Sequence, residues 1–345
     1  MAEFKLSAER LEVPDAAQET SRIFYEKGWT DGLPIIPPTP EAVEGLLQEI
    51  KRRPDEAIGL VPPRGAEATV EKIAINAVMA GCFPEHMPVI ISAIEALVDK
   101  RFNLYGVQTT THPCAPLLII NGPIRKKLGI NSGYNVFGQG SLANAVIGRA
   151  IRLILLNIGG GTPGGGDKAT HGHPGKFTYC AGENEEKSPW QPLHVARGFD
   201  PSESTVTVIA AESPHNVNDH SGTSAPSILT TIAGTIATQG NNNVLYQVGE
   251  PLVIIGPEHA ATIARDGFSK QDVKSFLWEN ARIPCGKFSR EHRKQRFASF
   301  KEEALVPIAR RKEDIMIVVA GGAGKHSMFI PTFGDSRAVT KPVQI

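Results

Sequence analysis

Two stretches of the chain share one order of elements, and this order limits the fold more than any other feature. APLLIINGP (115–123) is a continuous apolar run stopped by Gly-Pro, and the helical pattern IRKKLG follows it. EPLVIIGP (250–257) is a second such run, followed by the helical pattern EHAATIARDG. Continuous apolar runs are typical of strands buried on both faces, and Pro is favoured at the first position of a helix. The sequence therefore predicts an α/β protein.

Helical patterns also precede both strands, and a glycine-rich segment (131–177) lies between the two stretches. The sequence thus predicts two similar α/β units around a glycine-rich central segment. An internal duplication and a chance similarity both explain this order. We expect an N-terminal helical attachment at 1–68, a first unit at 69–200 and a second unit at 201–345.

The charge balance excludes some classes of partner. The 345 residues include 36 Lys plus Arg and 36 Asp plus Glu, so no net field attracts nucleic acid or an anionic membrane. The longest apolar segment, 142–157, is interrupted by Arg149 and Arg152 and falls short of the roughly 20 residues that a membrane span requires. It predicts a buried helix. We expect a small-molecule substrate, no nucleic acid and no membrane, with a homo-oligomer or a partner subunit left open.

The N-terminus and the cysteines favour a cytoplasmic protein. MAEFKLSAERLEVPDAAQ carries charges where a secretory signal needs an apolar segment. The four cysteines, Cys82, Cys114, Cys180 and Cys285, show neither CxxC nor a metal-ligand spacing, as in a reducing compartment. The sequence identifies no cofactor.

Three glycine-containing turns follow predicted strands, and they are the candidate ligand sites. Glycine lets the backbone turn tightly, and its outward N–H groups favour an anion. In open α/β sheets, ligands bind at the carboxyl ends of the strands. We therefore expect the turns to meet at one cleft, with His259 and His326 opening onto a common pocket. The turns are Asn121-Gly122-Pro123, Gly256-Pro257-Glu258-His259 and GGAGKHS (321–327).

The residue types in these turns suit acid–base chemistry on a small anionic or carboxylate-bearing metabolite, of the lyase or hydrolase type. Imidazoles transfer protons near neutral pH, while a lysine and backbone amides hold an anion. The expected catalytic residues are His259, His326 and Glu183. The expected substrate-binding residues are Asn121, Gly122, Gly322, Gly324, Lys325, Ser327 and Arg149.

Other residues leave alternatives open. His171 and His173 in a polar loop suit either a metal ion or ordinary exposure, and no third ligand stands at a diagnostic spacing. Cys114, two residues after His112, is either a nucleophile or a buried structural thiol. Arg149 and Arg152 on the apolar helix require an internal ion pair or a ligand carboxylate. A thiol-dependent oxidoreductase and a non-catalytic ligand-binding subunit of a larger complex therefore remain as alternative functions.

Five segments of the chain carry a resemblance to known proteins: IAINAVMAGCFPEHMPVIISAIEAL, NGP, IGRAIRLILLNIGG, GENEEKSPW and VVAGGAGKHS. They resemble a family of largely uncharacterised bacterial proteins that is associated with a UGSC or CGSC (seleno)cysteine motif. The resemblance covers most of the chain from about Thr69, and it implies a cytoplasmic enzyme with thiol or selenol redox chemistry. The tetrapeptide itself is absent, because the cysteines read CFPE, CAPL, CAGE and CGKF.

Overall fold

The computed structural model describes residues 5–48 and 50–344. Within them the α-helices are α1 (Ala17–Glu26), α2 (Pro40–Leu47), α3 (Val70–Ala80), α4 (Met87–Leu97), α5 (Leu104–Thr109), α6 (Ile124–Lys127), α7 (Leu142–Asn157), α8 (Leu193–Ala196), α9 (Ala225–Ile236), α10 (Asn242–Tyr246), α11 (Pro257–Arg265), α12 (Lys270–Asn280) and α13 (Arg290–Arg296). Short 3₁₀ turns lie at Pro84–His86, Pro174–Lys176, Cys285–Lys287 and Lys312–Asp314.

The described residues form two four-stranded mixed sheets and two smaller, two-stranded antiparallel sheets. The first sheet has the order β12-β5-β3-β4, and the second has the order β10-β7-β11-β6. The strands are β1 (Ala57–Val61), β2 (Ala66–Thr69), β3 (Ala115–Asn121), β4 (Cys180–Gly182), β5 (Thr205–Ala211), β6 (His215–Asn218), β7 (Leu252–Ile255), β8 (Arg282–Pro284), β9 (Leu305–Pro307), β10 (Met316–Val319), β11 (His326–Ile330) and β12 (Val339–Pro342).

The two sheets have the same order of strand directions. In the first, β4 is parallel to β3, β5 is antiparallel to β3, and β12 is antiparallel to β5. In the second, β10, β7, β11 and β6 repeat that pattern. Along the chain, β6 of the second sheet follows β5 of the first, and β12 of the first sheet follows β11 of the second. Ala211, at the end of β5, forms a β-bridge with Thr332, just after β11, where these two connections cross.

The sheets pack face to face as the two inner layers of an α/β/β/α arrangement. Leu117 and Ile119 of β3 point into a core shared with Leu252 and Ile254 of β7. The alternate residues of β3 face a second core that is built with α3, α4 and α7. A third core joins the outer face of the second sheet to α9, α11 and α12. Both central strands are therefore buried on both faces, as the sequence predicts.

The local sequence also predicts Thr39 as an N-cap before Pro40 and Gly81 as a helix end, and the structure confirms both together with the buried helix at 142–157. Thr39 caps α2 through a hydrogen bond from the Ala42 amide, with Pro40 at the first helical position. Gly81 ends α3 with a left-handed φ of 91°. The apolar segment 142–157 is one helix, and its residues are mostly buried.

Other predictions are wrong. The charge-rich pattern of 289–314 predicts one largely exposed helix. Only Arg290–Arg296 is helical there, after which the chain turns and pairs β9 with β8. His326 and Ser327, expected in a loop, begin strand β11. By pairing, β5 and β12 belong to the first sheet. The expected units at 69–200 and 201–345 stay a prediction.

In the described part of the chain, no helix is both long enough and apolar enough to cross a membrane.

Candidate functional site

His259 lies at the start of α11, buried in a closed hydrogen-bond network. Its Nδ1 is 2.8 Å from the Ser327 hydroxyl, and its Nε2 is 3.1 Å from the Asp219 carbonyl oxygen. Because a carbonyl only accepts, Nε2 carries the proton and Nδ1 accepts from Ser327. The Ser327 oxygen in turn accepts from the Gly256 amide at 3.2 Å. Burial lowers the pKa of His259, so its neutral form is favoured. Both ring nitrogens are occupied by the protein.

His326 has the opposite environment, exposed at the start of β11. Its Nε2 lies 3.1 Å from Nε2 of His220, which is also exposed. Its Nδ1 lies 2.9 Å from the Asn216 side-chain oxygen. The Lys325 ammonium donates to the His220 carbonyl oxygen at 3.1 Å. His326 and His259 are therefore neighbours in the fold, but the His259 ring does not open onto the surface with it.

Two of the predicted anion-binding amides are bonded to carboxylates of the chain itself. The Gly324 amide donates to Glu258 Oε1 at 2.8 Å, and the Gly122 amide donates to Glu185 Oε1 at 2.7 Å. Gly322 lies against the ring of Tyr134, which leaves no room for a side chain there. The turns do attract carboxylates, as their geometry predicts, but internal ones occupy these two amides.

Glu183 follows β4 and is fully buried beside Asn121. Its Oε2 accepts from the Asn121 side chain at 2.7 Å and from the Leu193 amide at 2.6 Å. Its Oε1 has no hydrogen-bond partner, and the Lys270 ammonium lies 3.9 Å from it. Burial raises the pKa of Glu183 and lowers that of Lys270. Within 5–48 and 50–344, no hydrogen bond or ion pair joins Glu183 itself to His259 or His326. The next residue, Asn184, connects this group to the 321–327 turn, because its side chain donates to the Gly321 carbonyl oxygen at 3.3 Å.

The two helix arginines differ in their partners. Arg149 forms a bidentate ion pair with Asp31, at 2.8 and 2.9 Å, so the internal pairing accounts for it. Arg152 donates from Nε to the Lys176 carbonyl oxygen at 2.7 Å, and within the described residues it forms no ion pair. Arg152 is half-buried, and the charges of Asp167 and Asp31 act on it from beyond ion-pair distance.

A histidine–carboxylate pair lies where the two units cross. His112, just before β3, has its Nε2 2.6 Å from Oε1 of Glu212, which follows β5. Since a carboxylate accepts, Nε2 carries the proton, and Nδ1 is left buried without a hydrogen-bond partner. The ring stacks on Phe333, with centroids 5.8 Å apart. In the sequence, His112 stands out only as a neighbour of Cys114, and Glu212 is missed. The signal available for Glu212 is a carboxylate placed directly after a buried strand.

His173 lies within electrostatic range of Glu212, Lys176 and Arg152. The Nδ1 of His173 accepts from the Gly175 amide at 3.1 Å, and its buried Nε2 has no partner at hydrogen-bonding distance. Burial lowers the pKa of His173, and the charges of Lys176 and Arg152 act in the same direction, while the nearby Ala211 carbonyl oxygen and Glu212 oppose this shift. Thr170 donates to the Thr111 carbonyl oxygen, which ties the glycine-rich loop to the segment that holds His112. We call His112, Glu212, His173 and Arg152 the crossing cluster.

The thiols are all buried. Cys114 is 1% exposed, and burial raises its pKa to about 12, as it does that of Cys180. Among the described residues, no group of three His, Cys, Asp or Glu side chains is placed to hold a metal ion. His171 and His173 thus find no third ligand of these types there.

No protein-family model matches the chain, and no curated protein matches it.

Proposed function

We propose that the chain is an enzyme that moves a proton on a small carboxylate-bearing metabolite, of the lyase or hydrolase type, and that the crossing cluster is its site. The observation that supports this most is the 2.6 Å contact of His112 with Glu212, which leaves the second ring nitrogen unpartnered. A base oriented by a third group is the arrangement that activates a nucleophile or abstracts a proton.

His112 is the proposed base. In the neutral ring Nδ1 holds a lone pair, so it takes the proton from a carbon beside the substrate carboxylate, or from water in a hydrolase. The imidazolium that forms is stabilised by the Glu212 carboxylate on the opposite nitrogen. Glu212 also fixes the tautomer and the orientation of the ring.

Arg152 and His173 are the proposed anion contacts. Arg152 has no carboxylate partner in the described chain, so a bound carboxylate would supply the missing charge. Because burial lowers the pKa of His173, its ring is neutral at pH 7, with the proton on the unpartnered Nε2. That N–H is a donor for a developing oxyanion.

The other expected residues are less suited to this role. Both nitrogens of His259 are occupied by the protein, and one carboxylate oxygen of Glu183 accepts from Asn121 and from the Leu193 amide. The thiol-dependent alternative has little support, since a reactive cysteine needs a lowered pKa and access, and Cys114 has neither. The ligand-binding subunit remains an alternative, and it differs from the enzyme only in the absence of turnover.

We also propose that the two units arose by internal duplication. The matching order of strand directions and the Ala211–Thr332 bridge between equivalent ends of β5 and β11 support it. Under this proposal, the crossing cluster lies beside the pseudo-two-fold axis.

The test is proton exchange in D₂O. The full chain is incubated with a panel of small mono-, di- and hydroxycarboxylates, and NMR follows the loss of the protons on carbons beside the carboxylate. We expect wild type to exchange at least one acid and His112→Gln to lose at least 100-fold of the rate, as general-base removal does. Arg152→Met should raise the half-saturating concentration more than it lowers the maximal rate.

His292→Gln is the matched control, because His292 is exposed on α13 and its side chain forms no hydrogen bond with the described residues. It should behave as wild type. Binding of an acid that Arg152→Met weakens, with no exchange in any sample, would favour the ligand-binding subunit. Equal exchange by wild type and His112→Gln would refute the proposed base.

A further inference from the structure

His220 and His326 present two imidazole nitrogens side by side on the surface, away from the crossing cluster. Their Nε2 atoms are 3.1 Å apart, and the ring planes are inclined at 78°. His326 begins β11, and His220 follows β6, its antiparallel neighbour. The two rings are thus placed by paired strands rather than by one flexible loop.

Asn216 fixes the proton of the His326 ring. Asn216 lies on β6 opposite Met328, and its side-chain oxygen is 2.9 Å from His326 Nδ1. Since that oxygen only accepts, Nδ1 carries the proton and Nε2 keeps its lone pair in the neutral ring. Metal-bound histidines have this arrangement, in which the second nitrogen donates to an oxygen acceptor.

The distance between the two nitrogens suits a shared metal ion. An ion bound at about 2.05 Å from each nitrogen, the usual Zn–N length, would subtend an angle of about 100° at this 3.1 Å separation. That angle lies between the octahedral and the tetrahedral values. The separation therefore lets both nitrogens contact one ion once the two rings turn from each other toward it.

We propose that His220 and His326 bind one late first-row divalent cation, such as Zn²⁺, through their Nε2 atoms. Imidazole nitrogens suit Zn²⁺, Ni²⁺ and Cu²⁺ and not Mg²⁺. No third His, Cys, Asp or Glu side chain of the described residues completes the site, so water or an anionic ligand fills the other positions. The Lys325 ammonium, bonded to the His220 carbonyl oxygen, favours an anion there.

The test uses the metal alone with the full chain. Titration calorimetry with Zn²⁺ should show one ion per chain, and His220→Ala and His326→Ala should each weaken binding at least 30-fold. Asn216→Ala should weaken it about 10- to 100-fold, the usual effect of losing such a partner. Mg²⁺ should not compete.

Two exposed histidines provide matched controls: His215→Ala, on the same strand as Asn216, and His292→Ala, on α13, should bind Zn²⁺ as wild type does. Imidazole ¹⁵N spectra give a second readout, in which Zn²⁺ should shift Nε2 of both residues while the His326 Nδ1 proton persists. All four histidines are exposed, so melting temperatures should be nearly unchanged.

Two results would overturn the proposal. One is wild-type protein without saturable Zn²⁺ binding up to millimolar concentration, which would leave the two rings as a hydrogen-bonded pair only. The other is unchanged affinity in His326→Ala, which would place the ion elsewhere on the chain.

Discussion

The buried hydrogen bonds of the His259 side chain stabilise the second unit. Replacing it with Ala would leave the Ser327 hydroxyl and the Asp219 carbonyl without partners in a buried position. We expect His259→Ala to lower the free energy of unfolding by about 2 kcal/mol, the cost of such unpaired groups. His326→Ala, at an exposed position, should change it by less than about 0.5 kcal/mol. Urea unfolding measures both, and equal effects would contradict the buried network.

The same residue makes stability depend on pH. Burial lowers the folded-state pKa of His259, so below the unfolded value of about 6.5 the unfolded chain takes up a proton that the folded ring resists. This contribution is complete above about pH 6.5 and is lost as the pH falls toward the folded pKa. We expect wild type to lose stability between pH 7.5 and 5.5 more steeply than His259→Ala. His86 and His173, whose pKa values burial also lowers, should leave a residual slope in the variant.

Glu183 and Lys270 form a buried pair, and its contribution to the free energy of unfolding depends on both partners being present. Burial disfavours the charge on each, and the groups approach to 3.9 Å. Removing one partner of such a pair costs about 3 kcal/mol, whereas removing both is often nearly neutral. We expect Lys270→Met to destabilise the chain by about this amount and Lys270→Met/Glu183→Gln to recover most of it. Additive losses in the double variant would show that the two side chains act independently.

At the scale of elements, the sequence predicts the buried ones and misses the edges. The continuous apolar runs in β3 and β7 and the helical spacing in α7 carry their own signal, because burial on both faces needs apolar residues throughout. β6, HNVN, and β12, VTKP, are short and partly polar, and their pairing with partners distant in sequence makes them strands. No local pattern encodes such long-range pairing.

The candidate site was predictable in kind but not in position. Glycine turns after strands indicated carboxylate contacts, yet Glu185 and Glu258, both remote from the glycines they bind, occupy those amides. His112 and Glu212 are 100 residues apart and meet only because β3 and β5 are antiparallel neighbours. A pair of this kind follows from sheet topology, which the apolar pattern alone does not determine.

Two glycines test the packing of the elements. A Cβ at Gly256 would lie 2.1 Å from the His326 carbonyl oxygen, so Gly256→Ala must push the start of β11 away from β7. Gly234 is exposed in α9 with nothing within 4 Å of the added carbon. We expect Gly256→Ala to lower the melting temperature, and Gly234→Ala to stabilise by about 0.5–1 kcal/mol through helix propensity. Thermal unfolding followed by circular dichroism measures the melting temperatures of both variants. An unchanged melting temperature in Gly256→Ala would contradict the close contact with His326.

In the whole molecule, the two sheets exchange edge strands, and this exchange couples their stabilities. β6 leaves the first sheet's β5 to complete the second sheet, and β12 leaves β11 to complete the first. The core between the sheets takes Leu117 from one unit and Ile254 from the other. Unfolding either sheet would therefore remove an edge strand from the other sheet and expose the face that packs in the shared core.

This coupling predicts that the full chain unfolds in one transition. Domains that fold separately show resolved steps, whereas a shared core and exchanged strands make partial unfolding costly. Calorimetry should give a van't Hoff enthalpy close to the calorimetric one. Ile232→Ala, which opens a cavity in the core beneath α9, should cost about 2–5 kcal/mol and move the whole transition to lower temperature. If that variant instead split the curve into an early and a late step, the strand exchange would not couple the units, and each would be a separate folding domain.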